Sequence, residues 1–182
     1  MKISYAITVC DEFLEIQKLL SLLLNNKRHE DEIVVLVEDT FKGHFANWKN
    51  ILTKSCSGDY IFQIDADEIP NETLIENLPI ILEQNPDIEV YLVPRVNTVK
   101  GLTEEHIKAW GWNVNDKGWV NWPDYQWRIW KNKPEIQWKN KVHEVLEGHK
   151  IYSPLQDIEL LSLYHPKDIK RQEKQNNYYS TL

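Results

Sequence analysis

The stretch Tyr60-Ile61-Phe62-Gln63-Ile64-Asp65-Ala66-Asp67-Glu68 decides the reading of this chain. Five β-prone residues run without a break into three carboxylates, and in open parallel sheets ligands gather beyond the carboxyl ends of the strands. Three neighbouring carboxylates repel one another, and the cost is relieved when something positive binds. Hard oxygen ligands of this kind suit Mg²⁺ or Mn²⁺, with water and substrate phosphates completing the shell. The plainer alternative is an acidic turn that only caps the next helix.

Working outward, residues 2–9 (KISYAITV) read as a buried strand. Asp11 is placed to cap a helix reaching about Leu24, with Phe13, Ile16, Leu19, Leu20 and Leu23 at three- and four-residue steps. Residues 33–37 (IVVLV) predict a second strand, apolar throughout as a strand covered on both faces would be. Residues 45–54 carry Phe45, Trp48, Ile51 and Leu52 at helical spacing, and Ser57-Gly58-Asp59 stops that helix before the acidic strand. Beyond it, two helical stretches divided at Pro79 are expected over 71–84, then a strand at 90–93. Strands and helices in this alternation predict an α/β fold with a mostly parallel central sheet and flanking helices.

The second half changes character. Residues 101–141 signal helix weakly and are rich in Trp, Asn and Lys; 125–130 and 158–164 read as strands, and 167–179 as a polar helix. No repeat, low-complexity tract or linker divides the 182 residues, so one domain is expected over 1–182. Lys plus Arg is 21 against 28 Asp plus Glu, a net charge of −7, which argues against a nonspecific nucleic-acid binder. No apolar run is long enough for a membrane span. The first acidic residues, Asp11 and Glu12, follow after only ten positions, unlike a signal peptide. Two cysteines, Cys10 and Cys56, make neither a disulfide framework nor a four-thiolate site, and a cytoplasmic location is expected. Of eight tryptophans, seven fall between Trp110 and Trp138. They read either as core or as an aromatic wall for flat, amphipathic ligands. Trp127, Trp130 and Trp138 lie in strand-like runs and are expected in the core.

Asp-x-Asp after a strand occurs in two enzyme classes. Haloacid-dehalogenase-like phosphatases place a Thr or Val two residues after the second Asp, where this chain has Ile69, and no later acidic pair of that type is present. Nucleotide-sugar glycosyltransferases use the same arrangement to hold a divalent metal on the donor diphosphate. Residues 8–12 (TVCDE), 45–50 (FANWKN), 57–68 (SGDYIFQIDADE), 123–132 (PDYQWRIWKN), Val142-His143-Glu144 and Leu163-Tyr164-His165 form an ordered set spread over nearly the whole chain. That set resembles glycosyltransferase family 2.

The resemblance implies a GT-A fold, Rossmann-like, with residues 1–100 as the nucleotide- and metal-binding half and 101–182 as the acceptor-side half. It implies a nucleotide-diphosphate sugar donor, a carbohydrate or other hydroxyl acceptor, and transfer with inversion. Asp65, Asp67 and His165 would hold Mn²⁺ or Mg²⁺. Thr8, Val9, Asp11, Glu38, Asp39, Lys49 and Asp65 would line the nucleotide-sugar pocket. Inversion needs a carboxylate to take the acceptor's proton, and Asp124 and Glu144 are the candidates. Asp124 is preferred, with Glu144 orienting the acceptor. The segment with Gly101, Gly111, Gly118 and Trp110, Trp112, Trp119 and Trp122 is expected to close over the ligands and exclude water. One departure stands out: only residues 40–44 join the second strand region to the Phe45 helix, where the family carries a longer segment. A noncatalytic nucleotide- or carbohydrate-binding module on the same fold is therefore the alternative. A zinc-protease reading of His143-Glu144 fails, because the next histidine, His149, lies six residues on rather than four. A nucleotidyltransferase would need a glycine-rich phosphate loop after the first strand, and the sequence has none there.

Overall fold

The computed structural model describes residues 1–37, 44–141 and 144–179. The chain order is β1 (Ile3–Val9), α1 (Glu15–Asn26), β2 (Glu32–Val37), α2 (Phe45–Lys54), β3 (Tyr60–Asp65), β4 (Ile69–Pro70), α3 (Glu72–Gln84) and β5 (Val90–Lys100). There follow α4 (Glu104–Trp110), β6 (Val120–Lys131), β7 (Gln137–Lys139), β8 (Val145–Glu147), β9 (Tyr152–Pro154), β10 (Leu163–Asp168) and α5 (Ile169–Tyr179). One sheet runs β2-β1-β3-β6-β5-β10-β4, with β9 beside β5, and β7-β8 form a separate hairpin. β1 pairs parallel with β2 and β3, and β5 pairs parallel with β9 and β10; β6 is antiparallel to both β3 and β5. The α/β class and single mostly parallel central sheet expected from the sequence are therefore present.

Alternation along β1 and β3 builds the core on both sheet faces. Tyr5, Ile7, Phe62 and Ile64 point to one side, where they pack with Leu19 and Leu23 of α1 and Leu74 and Leu78 of α3. Ala6 and Ile61 point to the other, where they meet Leu52, Trp130, Trp138 and Leu146. Gly58 is fixed by a close approach. Its N–H donates to Ser4 Oγ at 2.8 Å, and a Cβ there would lie 2.7 Å from the Ser4 backbone nitrogen. The start of β3 is thereby locked against β1, which brings Thr8 into register with Asp65.

Several expectations need correction. Asp11 caps no helix: α1 begins at Glu15 with Leu14 in the cap position and no side-chain cap, leaving Asp11 in the turn above the sheet. β2 is an edge strand rather than a covered one, with Val37 55% exposed. Helix α3 runs through Pro79 unbroken, because Leu74, Ile75, Leu78 and Leu82 on its buried face outweigh the missing hydrogen bond. The strand expected at 90–93 extends to Lys100. Residues 159–161 form a short 3₁₀ turn, and the last strand starts only at Leu163. Helix α4 was not expected; Thr103 caps it with His106 in the reciprocal position that Glu or Gln normally fills. Trp130 and Trp138 are core, but Trp127 is half-buried at the edge of a cavity.

Candidate functional site

The turn after β3 carries Asp65, Ala66, Asp67 and Glu68 to the carboxyl ends of β1 and β3, as the parallel pairing dictates. A cavity of about 650 Å³ opens there. Thr8 and Asp11 from the β1 end, Phe45, Trp48 and Lys49 from α2, and Asp65 and Asp67 from the acidic turn line one side. Trp127, Trp138 and Glu144 line another, and His165, Lys167, Arg171 and Lys174 close the third. A smaller cavity of about 220 Å³ adjoins it and shares Arg95, His165 and Lys167; Asp124, Asn97 and Trp112 belong to this one. The two candidate bases are thus separated, Glu144 in the larger cavity and Asp124 in the smaller.

The acidic turn is neutralised largely by the protein itself. Glu68 is wholly buried and meets two arginines: Arg128 at 2.7 and 3.0 Å and Arg95 at 2.9 Å. Arg128 also reaches Asp65 Oδ2 at 2.6 Å. Burial opposes the charge of Arg128, yet Asp65 and Glu68 outweigh it and hold the guanidinium protonated. Burial likewise pushes Asp65 up, but Arg128, Lys49 and Arg95 bring its carboxyl well below the usual range. Asp65 Oδ1 further accepts from Gln63 at 3.0 Å and Thr8 at 3.3 Å. Repulsion among three acids, the sequence argument for a cation, is therefore answered mostly by Arg95 and Arg128. Both lie inside otherwise apolar strand runs (VYLVPRV and WRIW). A lone charge in such a run is costly unless paired, which was the signal that could have revealed them.

Lys49 is neither a solvated helix lysine nor directed at open space. It is 5% exposed, paired with Glu144 Oε1, 4.0 Å from Asp65 Oδ1, and lies 4.6 Å above the Trp138 ring. Asp124 receives Arg95 through two nitrogens at 2.7 and 2.9 Å, Asn97 at 2.8 Å on the same oxygen, and Gln126 at 2.8 Å on the other. Burial raises its pKa, but Arg95, Asn97 and Gln126 more than reverse this, so the carboxylate form is favoured. Thr8, Asp11, Lys49 and Asp65 all reach the larger cavity, while the Val9 side chain is 1% exposed in the core. Glu38 and Asp39 lie outside the described residues.

Asp67 and His165 answer the question of a metal by their donor chemistry. Asn97 spends its Nδ2 on Asp124 and so presents Oδ1 to His165 Nδ1 at 2.8 Å, which makes Nδ1 the protonated nitrogen. Burial, the largest influence on His165, lowers its pKa despite Asp67, so the neutral ring turns a lone pair from Nε2 toward Asp67 Oδ2, 3.2 Å away. Asp67 Oδ2 also meets Arg171 at 3.2 Å, so a cation held by Asp67 and His165 would have to displace that guanidinium. Among the described residues no three acidic, imidazole or thiol groups converge as a coordination set; Asp65 is turned onto Arg128 instead. The donor set thus fits two-point binding, with phosphate oxygens and water completing the shell.

The tryptophan-rich segment sits beside the smaller cavity. Trp112 lines it, Trp110 packs on Trp112 at 4.7 Å, and Trp119 packs on Trp122 at 4.9 Å. All four rings are half-buried.

No family model matches the chain, and no curated protein gives a significant match. Solved structures do. The crystal structure of S. aureus TarS 1-349 superposes with a TM-score of 0.62 at 14% identity, covering 91% of this chain and 60% of that one. TarS 1-349 in complex with UDP gives 0.57 at 13% identity, with the same coverage. Its complex with UDP-GlcNAc gives 0.50 at 12% identity, covering 88% of this chain and 60% of that one. The chain thus spans about 60% of the TarS structures it matches. These likenesses show the fold, a GT-A-like, Rossmann-like arrangement. No helix among the described residues is long and apolar enough to cross a membrane.

Proposed function

We propose that this protein is an inverting, metal-dependent glycosyltransferase of the family 2 kind, moving a sugar from a nucleotide diphosphate to an acceptor hydroxyl. One observation carries this reading. The larger cavity at the strand ends holds Asp65 and Asp67, and an adjoining smaller one holds a carboxylate kept in its ionised form, Asp124. One cavity is suited to a donor and the next to an acceptor. That TarS has been crystallised with UDP and UDP-GlcNAc on the same fold supports a nucleotide-sugar donor.

In this account Thr8, Asp11, Phe45 and Trp48 surround the nucleoside. Asp67 and His165 would hold Mn²⁺ or Mg²⁺, which when bound supplies positive charge for the departing diphosphate. Asp124 accepts the acceptor hydroxyl's proton on Oδ1, to which Gln126 donates among the described residues, while Arg95 and Asn97 fix Oδ2. The acceptor oxygen forms its bond to the anomeric carbon as the bond to the diphosphate oxygen breaks, and the electron pair leaves with the diphosphate. Lys49 and Glu144 act as an ion pair within the larger cavity, orienting the bound sugar. Trp112 and its neighbours cover the acceptor side and keep water from the anomeric carbon.

A second reading, the noncatalytic binding module, has one observation in its favour: the connection between β2 and α2 is short, since β2 ends at Val37 and α2 begins at Phe45. Melting temperatures with nucleoside diphosphates, with and without Mn²⁺, test the shared part of both readings. A combined shift larger than either component gives alone, lost in Asp67→Asn, is expected. An unchanged shift in Asp67→Asn removes the metal assignment.

A further inference from the structure

We infer that the C-terminal helix supplies the phosphate-binding wall of the site: Arg171 and Lys174 of α5, with Lys167 from β10, clamp the donor diphosphate, and Arg171 exchanges its carboxylate partners for phosphate on binding. This rests on the nucleotide-sugar reading above.

Six cationic side chains and five carboxylates line the larger cavity, but they are not evenly placed. Lys49 is committed to Glu144, Arg128 to Asp65 and Glu68, and Arg95 to Glu68 and Asp124. The wall formed by β10 and α5 carries Lys167, Arg171 and Lys174, with Asp67, Glu12 and Glu15 within reach of Arg171. Three cationic side chains are thereby gathered on one wall beside the acidic turn.

Distance separates Arg171 from the other arginines. Its guanidinium lies 3.3 Å from Glu12, 3.2 Å from Glu15 and 3.2 Å from Asp67, and its side chain is 32% exposed. Charge-assisted N–H···O contacts close to about 2.7–2.9 Å when they are tight, as Arg128 does. Three loose, partly solvated contacts are each worth little, so releasing them costs little. A planar guanidinium matches two phosphate oxygens at once. Lys174 stands three residues on, on the same face of α5. A divalent cation between Asp67 and His165 would also repel Arg171 from Asp67 and free it for phosphate.

Titration calorimetry with inorganic pyrophosphate, UDP, ADP and uridine decides the matter, using the full chain as wild type, Arg171→Met, Arg171→Lys and Lys174→Met. Arg171→Met is expected to weaken pyrophosphate and UDP about 10- to 100-fold, and Lys174→Met about 3- to 10-fold, with Arg171→Lys between wild type and Arg171→Met. Uridine binding should not change. If both methionine variants bind UDP and pyrophosphate as tightly as wild type, the clamp is wrong while the nucleotide reading stands. Wild type that binds pyrophosphate through these residues but neither nucleotide leaves the clamp intact and removes the nucleotide reading. Wild type that binds none of the four removes both. Should Arg171→Met fail to fold, Lys174→Met alone decides.

Discussion

Arg128 and Arg171 both face carboxylates of the same acidic turn, yet they hold them in different ways. Arg128 has a side chain 3% exposed and contacts Asp65 and Glu68 at 2.6 to 3.0 Å. Arg171 has a side chain 32% exposed and contacts its three partners at 3.2 to 3.3 Å. A buried ion pair is costly to break because the survivor is stranded away from water, whereas an exposed one is exchanged at small cost. The first arginine therefore belongs to the scaffold that aims Asp65, and the second to the part of the site that can trade partners.

The largest effect should follow from breaking the scaffold. Arg128→Met strands Glu68 with Arg95 alone and is expected to destabilise the fold by about 3–5 kcal/mol. Urea unfolding reads this, and a loss under about 1 kcal/mol would erase the distinction between the two arginines.

Glu32 offers an intermediate case at the rim of the sheet. Burial acts to raise its pKa, but Lys2 Nζ at 2.6 Å, Ser4 Oγ at 2.6 Å and the Ser57 backbone N–H at 2.6 Å hold it down at about 2. A carboxyl depressed from 4.5 to about 2 gives stability that is present above pH 4.5 and lost as pH falls toward 2. Glu32→Gln should cost about 1–3 kcal/mol at pH 7 and flatten the decline between pH 5 and pH 2. Parallel pH profiles for the variant and wild type would contradict this.

The smallest stability effect should come from Arg171→Met, within about 1 kcal/mol of wild type. A loss as large as that of Arg128→Met would make Arg171 a structural residue.

The same contrast explains what the sequence could reveal. β1, α1, β3 and α2 carry regular apolar periods, so their existence, and the site at the end of β3, could be read directly. Asp65, Asp67, His165, Lys49 and Glu144 do come together around one cavity, although Val9 faces the core. What stayed hidden depends on partners far away in the chain. The pairing of Glu68 with Arg95 and Arg128 spans 27 and 60 positions, and no local pattern reports it. The short strands β7 to β9 are held by tertiary pairing rather than by propensity. Helix α4 hid behind an unusual cap, and Pro79 suggested a break that the buried face of α3 overrides. Trp127 reads as core by its run, but cavity walls also use alternate positions of a strand, so period alone cannot separate the two.

The most direct measurement is release of nucleoside diphosphate from a panel of nucleotide sugars with Mn²⁺, comparing wild type with Asp124→Asn and each variant's donor affinity. The account predicts that wild type turns over at least one donor, and that Asp124→Asn binds that donor nearly as well while reacting about 10²- to 10⁴-fold more slowly. Glu144→Gln in the same assay should lose less. Donor binding without any release by wild type, across the whole panel and with hydroxyl acceptors supplied, would contradict catalysis and leave the binding module.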